Sequence, residues 1–207
     1  ELAKSKKLWL SLPGLTSISK EVAQELAKHE GEHLSLDGLT SIDKHVAQEL
    51  AKVDWVSLKG LTSIDKDVAQ ALMNRDFPDL GTFNLVNLEL NGLTSIDEDV
   101  AQELAKFEGD LHLDGLTSID KDVAQELAKV KRGSLYLNGL TSIDKDVAQA
   151  LMKVEVFSLY LNGLTSIDKD VAQELAKADW VSLDGLTSID KDVAQELAKA
   201  DWVSLDG

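Results

Sequence analysis

The sequence predicts an α/β solenoid with a parallel sheet on one face and short helices on the other. Two features of the 207 residues predict it: a unit that recurs every 22–24 residues with one longer interval of 32, and, within each unit, an apolar pattern that changes from strand period to helix period. A single unit of this size cannot bury its apolar face alone, so the units are expected to stack on one another.

The repeated string is Gly-Leu-Thr-Ser-Ile, and it fills the chain. It begins at Gly14, Gly38, Gly60, Gly92, Gly115, Gly139, Gly163 and Gly185. Residues 164–185 and 186–207 are identical, and a further unit begins at Gly207. We expect one array over 1–207 with about eight to nine coils and no polar cap at either end, which predicts a piece of a longer array or a unit that assembles end to end. Residues 73–84 interrupt it; there Pro78 and Gly81 predict an irregular loop.

A short strand is predicted before each glycine. In Trp55-Val-Ser-Leu-Lys59, Val56 and Leu58 alternate with polar or aromatic residues. Period-two alternation over about five residues is typical of a half-buried strand.

A helix of about nine residues is predicted after each turn. Val68, Ala69 and Leu72 form an apolar stripe, and Asp65 stands where an N-cap belongs. The other predicted N-caps are Ser19, Asp43, Asp97, Asp120, Asp144, Asp168 and Asp190. Each unit is therefore one β–α coil, and parallel strands joined in this way take right-handed crossovers.

The stretch from Leu111 to Ile119 reads L-x-L-x-x-L-x-x-I. From Leu8 to Gly207 the chain resembles the leucine-rich repeats, and its units are similar to the short, near-identical repeats of bacterial proteins. The resemblance implies a horseshoe with the sheet on the concave face, and a protein-binding role. The usual Asn or Cys is replaced by leucine, which predicts an apolar ladder of Leu15, Leu39, Leu61, Leu93, Leu116, Leu140, Leu164 and Leu186.

Composition excludes several classes of function. A formal charge of −16 disfavours nucleic acid, and no apolar run is long enough for membrane insertion. There is no cysteine, no catalytic motif and no phosphate loop, so we expect neither an enzyme nor a bound cofactor or metal. The histidines, which are His29, His33, His45 and His112, are interpreted as surface or turn residues.

Two further columns of repeated residues, the Asp/Asn residues before each glycine and the threonines, could be structural or functional, and the structural interpretation is favoured for both. The Asp/Asn-Gly pairs, at Asp37, Asn91, Asp114, Asn138, Asn162, Asp184 and Asp206, favour strand-ending turns over a calcium ladder, because calcium-binding repeat spacing is missing. One threonine per coil, Thr16 to Thr187, favours turn hydrogen bonding or packing over ice binding.

The candidate binding surface comes from the strand residues that point away from the core. These are the residues one, three and five before each glycine, and all tryptophans and tyrosines belong to this set. The candidate contact residues are Trp9, His33, Trp55, His112, Tyr136, Tyr160, Trp180 and Trp202. Outward aromatic residues in a row are typical of a contact surface, so we expect a protein ligand on the concave face. Two alternatives remain: self-association through bare ends into a filament or surface layer, and a glycan stacked on the rings.

Overall fold

The computed structural model describes residues 9–28, 33–74, 86–156, 158–200 and 202–205, and every structural statement below concerns these residues. Most of the predicted loop, 75–84, lies outside them, as do His29, Asp206 and Gly207. The strands are β1 (Trp9–Ser11), β2 (His33–Ser35), β3 (Trp55–Ser57), β4 (Asn87–Glu89), β5 (Asp110–His112), β6 (Ser134–Tyr136), β7 (Ser158–Tyr160), β8 (Val181–Ser182) and β9 (Val203–Ser204). The helices are α1 (Lys20–Leu26), α2 (Lys44–Leu50), α3 (Lys66–Met73), α4 (Glu98–Leu104), α5 (Lys121–Leu127), α6 (Lys145–Leu151), α7 (Lys169–Leu175) and α8 (Lys191–Leu197).

The nine strands form one parallel sheet in chain order, as the repeat predicts. Equivalent residues pair across it; Trp55 lies opposite Asn87, and Tyr136 lies opposite Tyr160. The strands and helices are shorter than expected: the strands span two or three residues rather than five, and the helices span seven or eight rather than nine. Helices this short are marginal alone, so their stability depends on packing against the neighbouring coils.

Each helix begins at the predicted N-cap. The Asp65 carboxylate accepts a hydrogen bond of 2.8 Å from the Val68 backbone N–H, and the other seven caps make the equivalent bond. A side chain that accepts from the third helical N–H satisfies a donor that has no partner inside the helix.

The core lies between the sheet and the helices and is built from ladders of equivalent residues. Leu113, Leu116 and Leu127 are fully buried, and Val123 is nearly so. The apolar ladder expected in place of the usual Asn or Cys is confirmed at six positions, since Leu39, Leu61, Leu93, Leu116, Leu140 and Leu164 have no exposed surface. Leu15 and Leu186, in the outermost described coils, are only partly buried.

The Asp/Asn residues before the glycines connect successive coils. Asp114 Oδ1 accepts a hydrogen bond of 3.0 Å from the backbone N–H of Asn138, which is the equivalent residue in the next coil. The same bond recurs at Asp37, Asn91, Asn138 and Asn162. The predicted turns are confirmed, and their side chains also hold the coils together.

The threonine column is exposed in all eight coils. Thr187 donates from Oγ1 to the Thr165 carbonyl oxygen at 3.2 Å, in keeping with turn hydrogen bonding rather than with burial in the core. Within the described part of the chain, no helix combines the length and the apolar character needed to cross a membrane.

Candidate functional site

The sheet's outward side carries three residues from each coil, and their environments differ along the array. A strand places alternate residues on opposite faces, so the positions five, three and one before each glycine lie together, away from the core. The aromatic residues among them form two groups, with the fourth coil between them.

The N-terminal aromatic cluster consists of Trp9, His33 and Trp55, from the starts of the first three strands. The His33 ring lies between the two indoles, with centroid distances of 4.7 Å to Trp9 and 4.8 Å to Trp55. Trp9 is 61% exposed, whereas His33 is 8% exposed. Its Nε2 atom and the Nε1 atom of Trp55 are buried and have no hydrogen-bond partner in the described structure.

The C-terminal aromatic cluster consists of His112, Tyr136, Tyr160 and Trp180. The first three rings are stacked and almost parallel, with centroid distances of 3.9 Å and 4.3 Å, and Trp180 meets Tyr160 edge-on at 5.1 Å. Both faces of the Tyr136 ring are therefore covered by neighbouring rings. Tyr136 therefore has no open ring face, and the side chains of Tyr136 and Tyr160 are half-buried.

An acidic trough separates the two clusters, formed by the outward residues Lys59, Asn87, Glu89, Asp110 and Asp114. Asn87 and Asp110 are each 9% exposed and are its most buried residues. The Lys59 ammonium lies 3.0 Å from Glu89 Oε2. Asp110 Oδ1 accepts a hydrogen bond of 2.7 Å from the Ser134 backbone N–H, and Asn87 Oδ1 lies 3.1 Å from His112 Nε2.

Hydrogen bonds keep the carboxylates of this region ionised. Burial alone would raise the pKa of Asp37, but hydrogen bonds from Ser57 Oγ and the Lys59 N–H outweigh it and hold the pKa below its usual value. The same balance lowers the pKa of Glu89 through Ser57 and Lys59. Burial also opposes ionisation of Asp114, but its pKa is lowered through His112 and the Asn138 N–H.

Burial and the nearby carboxylates also shift the pKa values of Tyr136 and His33. Burial, reinforced by the negative charge of Asp110, raises the pKa of Tyr136 to about 12, so its hydroxyl keeps its proton. Burial lowers the pKa of His33, and the charges of Glu89 and Asp37 offset this only in part. His33 is therefore a neutral ring near two carboxylates.

The structure corrects the expectation for His33, which is not a surface residue because the Trp9 and Trp55 rings cover it. His112 is partly buried, with Tyr136 stacked on one of its faces. His45 does lie at the surface. Trp180 and Trp202 stand in identical repeats but differ in exposure: Trp202 is 62% exposed in the outermost described coil, whereas Trp180 is half-buried against Tyr160.

Sequence reasoning missed the acidic trough, although the signal was available. Glu89 and Asp110 stand in the same outward positions as the aromatic residues, and a search limited to aromatic and histidine side chains passed over them. Among the described residues, no group of three or more histidine, aspartate or glutamate side chains is arranged to hold a metal ion.

These features define a leucine-rich-repeat solenoid with an open parallel sheet. Two solved structures with this fold are similar to it: a chain of the Toll–Spatzle complex of Drosophila, at 16% identity and a TM-score of 0.57 over 88% of the chain, and an internalin of Listeria monocytogenes, at 17% identity and a TM-score of 0.55 over 96%. The chain spans 24% of the first structure's length and 54% of the second's. No protein-family model and no curated protein matches the sequence.

Proposed function

We propose that this protein is a non-enzymatic repeat scaffold that binds a protein partner on the concave sheet, through the two aromatic clusters. The observation that carries the proposal is the C-terminal aromatic cluster, where three stacked rings and an edge-on indole continue across four successive coils. Interface hot spots are enriched in tryptophan and tyrosine, because these side chains provide large contact areas with little loss of conformational freedom.

The arrangement of the aromatic residues supports a contact role over a purely structural one. A repeat selected only for stacking would keep one residue in every coil, as the buried leucine ladder does. In the outward columns the aromatic residue stands five before the glycine in the first three coils and three before it in coils five to seven. Serine fills the other column beside most of these rings, so each aromatic ridge borders a shallow polar groove.

Ring geometry favours a protein over a glycan. Sugars stack on open aromatic faces, but both faces of Tyr136 are occupied by His112 and Tyr160. The half-buried tyrosine rings and their hydroxyl groups suit hydrogen bonds and edge contacts with a polypeptide. Leucine-rich-repeat structures include a complex with a protein, as the Toll–Spatzle structure shows for that molecule.

The test compares variants that keep or remove the stacked rings. Tyr136→Phe and Tyr160→Phe keep the stack and remove the hydroxyl groups; Tyr136→Ala and Trp180→Ala remove rings. Loss of one ring pair costs about 0.5–1.5 kcal/mol of stability, so Tyr136→Ala, which breaks two pairs, is expected to lose about 1–3 kcal/mol and still fold. Gln149→Ala, at an exposed helix position on the opposite face, is the control.

Each variant is measured for unfolding and for retention of partners captured by the wild type, with contact sites mapped by cross-linking. We expect the phenylalanine variants to keep stability but lose at least tenfold in affinity, about 1.4 kcal/mol, while Gln149→Ala binds normally. Cross-links that map to the helices would refute the proposal. So would full retention by all ring variants. Light scattering that shows concentration-dependent polymers unaffected by these variants would favour the filament alternative.

A further inference from the structure

We propose that the acidic trough between the aromatic clusters binds the cationic side chains, arginine or lysine, of an extended basic segment of the protein partner. This inference rests on the proposed function and adds the chemistry of the segment that the concave face would bind.

The outward side of the sheet carries an excess of negative charge. Its described positions carry the carboxylates Asp37, Glu89, Asp110, Asp114 and Asp184, but Lys59 is their one lysine or arginine. Four of these carboxylates lie in the second to fifth coils, where Lys59 forms an ion pair with Glu89. A surface with this excess attracts a cationic partner and repels anionic polymers, which makes charge complementarity the basis for the choice of partner.

Burial of the carboxylates strengthens this attraction for a cation within the acidic trough. Asp110 is 9% exposed, and the Glu89 side chain is 12% exposed. A charge pair shielded from bulk water interacts more strongly than an exposed pair, so a guanidinium or ammonium group placed there would gain more than on the helical face. The two carboxylates are held by Ser134 and Lys59 respectively, which fixes their position before a partner arrives.

The flanking rings match the rest of such a side chain. Trp55 borders the trough on one side, and His112 with Tyr136 borders it on the other. The aliphatic stem of lysine or arginine packs on apolar surface while its charged end reaches a polar site. The raised pKa of Tyr136 keeps its hydroxyl available as a donor, while Asp110 supplies negative charge beside it.

A second observation indicates that the ligand carries acceptor oxygens as well as cationic groups. His33 is more than nine-tenths buried, its Nε2 has no hydrogen-bond partner in the described structure, and it lies in the field of Glu89 and Asp37. The Nε1 atom of Trp55, beside it, is also buried and has no hydrogen-bond partner in the described structure. The Trp55 Nε1–H is a donor, and an unpaired buried donor costs free energy that a carbonyl oxygen of the ligand would offset once the covering rings shift. A polypeptide supplies carbonyl oxygens together with cationic side chains, and a simple polyamine does not.

The experiment uses the full chain and three synthetic peptides of about ten residues, each long enough to span roughly 33 Å when extended. One alternates arginine with serine, one glutamate with serine, and one glycine with serine; spermine is the non-peptide cation. Affinities are measured by calorimetry at low salt and at about 0.5 M NaCl, where charge attraction is largely screened.

The decisive comparison is between two double variants of equal charge. Glu89→Gln with Asp110→Asn removes two negative charges from the trough and keeps the Asp110 oxygen that accepts from Ser134. Asp67→Asn with Asp99→Asn removes two from the helical face, where these residues are exposed ion-pair partners of Lys44 and Lys66. We expect the trough variant to lose at least about tenfold in affinity for the arginine peptide and the helical variant less than about threefold.

The outcomes separate this inference from the proposed function. Equal losses in both variants would mean attraction to overall charge and would overturn the inference. If the protein prefers the glycine or the glutamate peptide, and Tyr136→Phe loses that binding, the inference is overturned while the proposed function stands. Spermine binding as tight as the arginine peptide would refute a polypeptide ligand. If no peptide binds and captured partners cross-link to the helices, both proposals fail.

Discussion

Replacing Gly139 by alanine tests how tightly the coils stack. A Cβ atom on Gly139 would lie 2.1 Å from the Asp114 carbonyl oxygen and 2.6 Å from the Leu116 carbonyl oxygen, both in the preceding coil. Carbon–oxygen contacts need about 3.3 Å, so the two backbones would have to separate by about 1.2 Å. Neither atom belongs to a flexible side chain that could turn aside.

The expected cost of Gly139→Ala follows from this contact. Forcing extra atoms into a packed interior costs about 1–3 kcal/mol, and the separation would also strain the bond from the Asn138 N–H to Asp114 Oδ1. Gly14→Ala is the matched control, because a Cβ there meets nothing within 4 Å in the described structure. Loss of chain freedom in the unfolded state gives the control a gain of about 0.4–1 kcal/mol instead.

The assay is urea unfolding followed by circular dichroism and tryptophan fluorescence, with midpoint and slope compared for both variants. We expect the two to differ by about 1.4–4 kcal/mol in the free energy of unfolding, the sum of the two opposite effects. A difference below about 0.5 kcal/mol would refute the reasoning, because backbone contact would then not be what requires glycine at this position.

Two other predictions concern charge. The lysine at the first position of a helix pairs with an aspartate of the next helix, as in Lys66–Asp99 and Lys121–Asp146, but α4 begins with Glu98, and the equivalent aspartate of the next helix is Asp122. Glu98→Lys is therefore expected to stabilise the fold by about 0.5–1 kcal/mol, and Glu98→Gln is expected to give a smaller gain, with added salt reducing both gains. A thermal midpoint that does not rise in Glu98→Lys would contradict this prediction. The pKa values of Asp37, Glu89 and Asp114 are lower in the folded state than the ordinary 3.8 and 4.5, so their stabilising contribution is present above those values and is lost as pH falls through the lower folded values. Unfolding titrations between neutral and acid pH should show this loss, and Asp114→Asn should reduce its steepness; a variant as acid-sensitive as the wild type would mean that Asp114 does not contribute.

The inward half of each coil could be predicted from the sequence because its constraints are local. Leu113 and Leu116 are buried by strand alternation and turn position, and Asp120 caps its helix through a bond three residues away. The outward half depends on neighbouring coils, which a single unit does not encode. His33 is buried only because tryptophans stand in both adjacent coils, and the Asp114 side chain reaches a donor 24 residues away.

The same division is the reason that the proposed function is assigned to the outward columns. Gly139 meets the carbonyl groups of the coil before it, and Leu140 has no exposed surface, so any change at either position disturbs the stack. The position of Tyr136 in the equivalent coils accepts serine, glutamate, histidine or tyrosine, with strand pairing preserved throughout. Coil stacking therefore accepts several residues at this position, so it does not by itself explain why three consecutive coils contribute parallel rings beside the acidic trough. The proposed recognition of another molecule would explain it, because neighbouring coils act on a partner as a continuous surface.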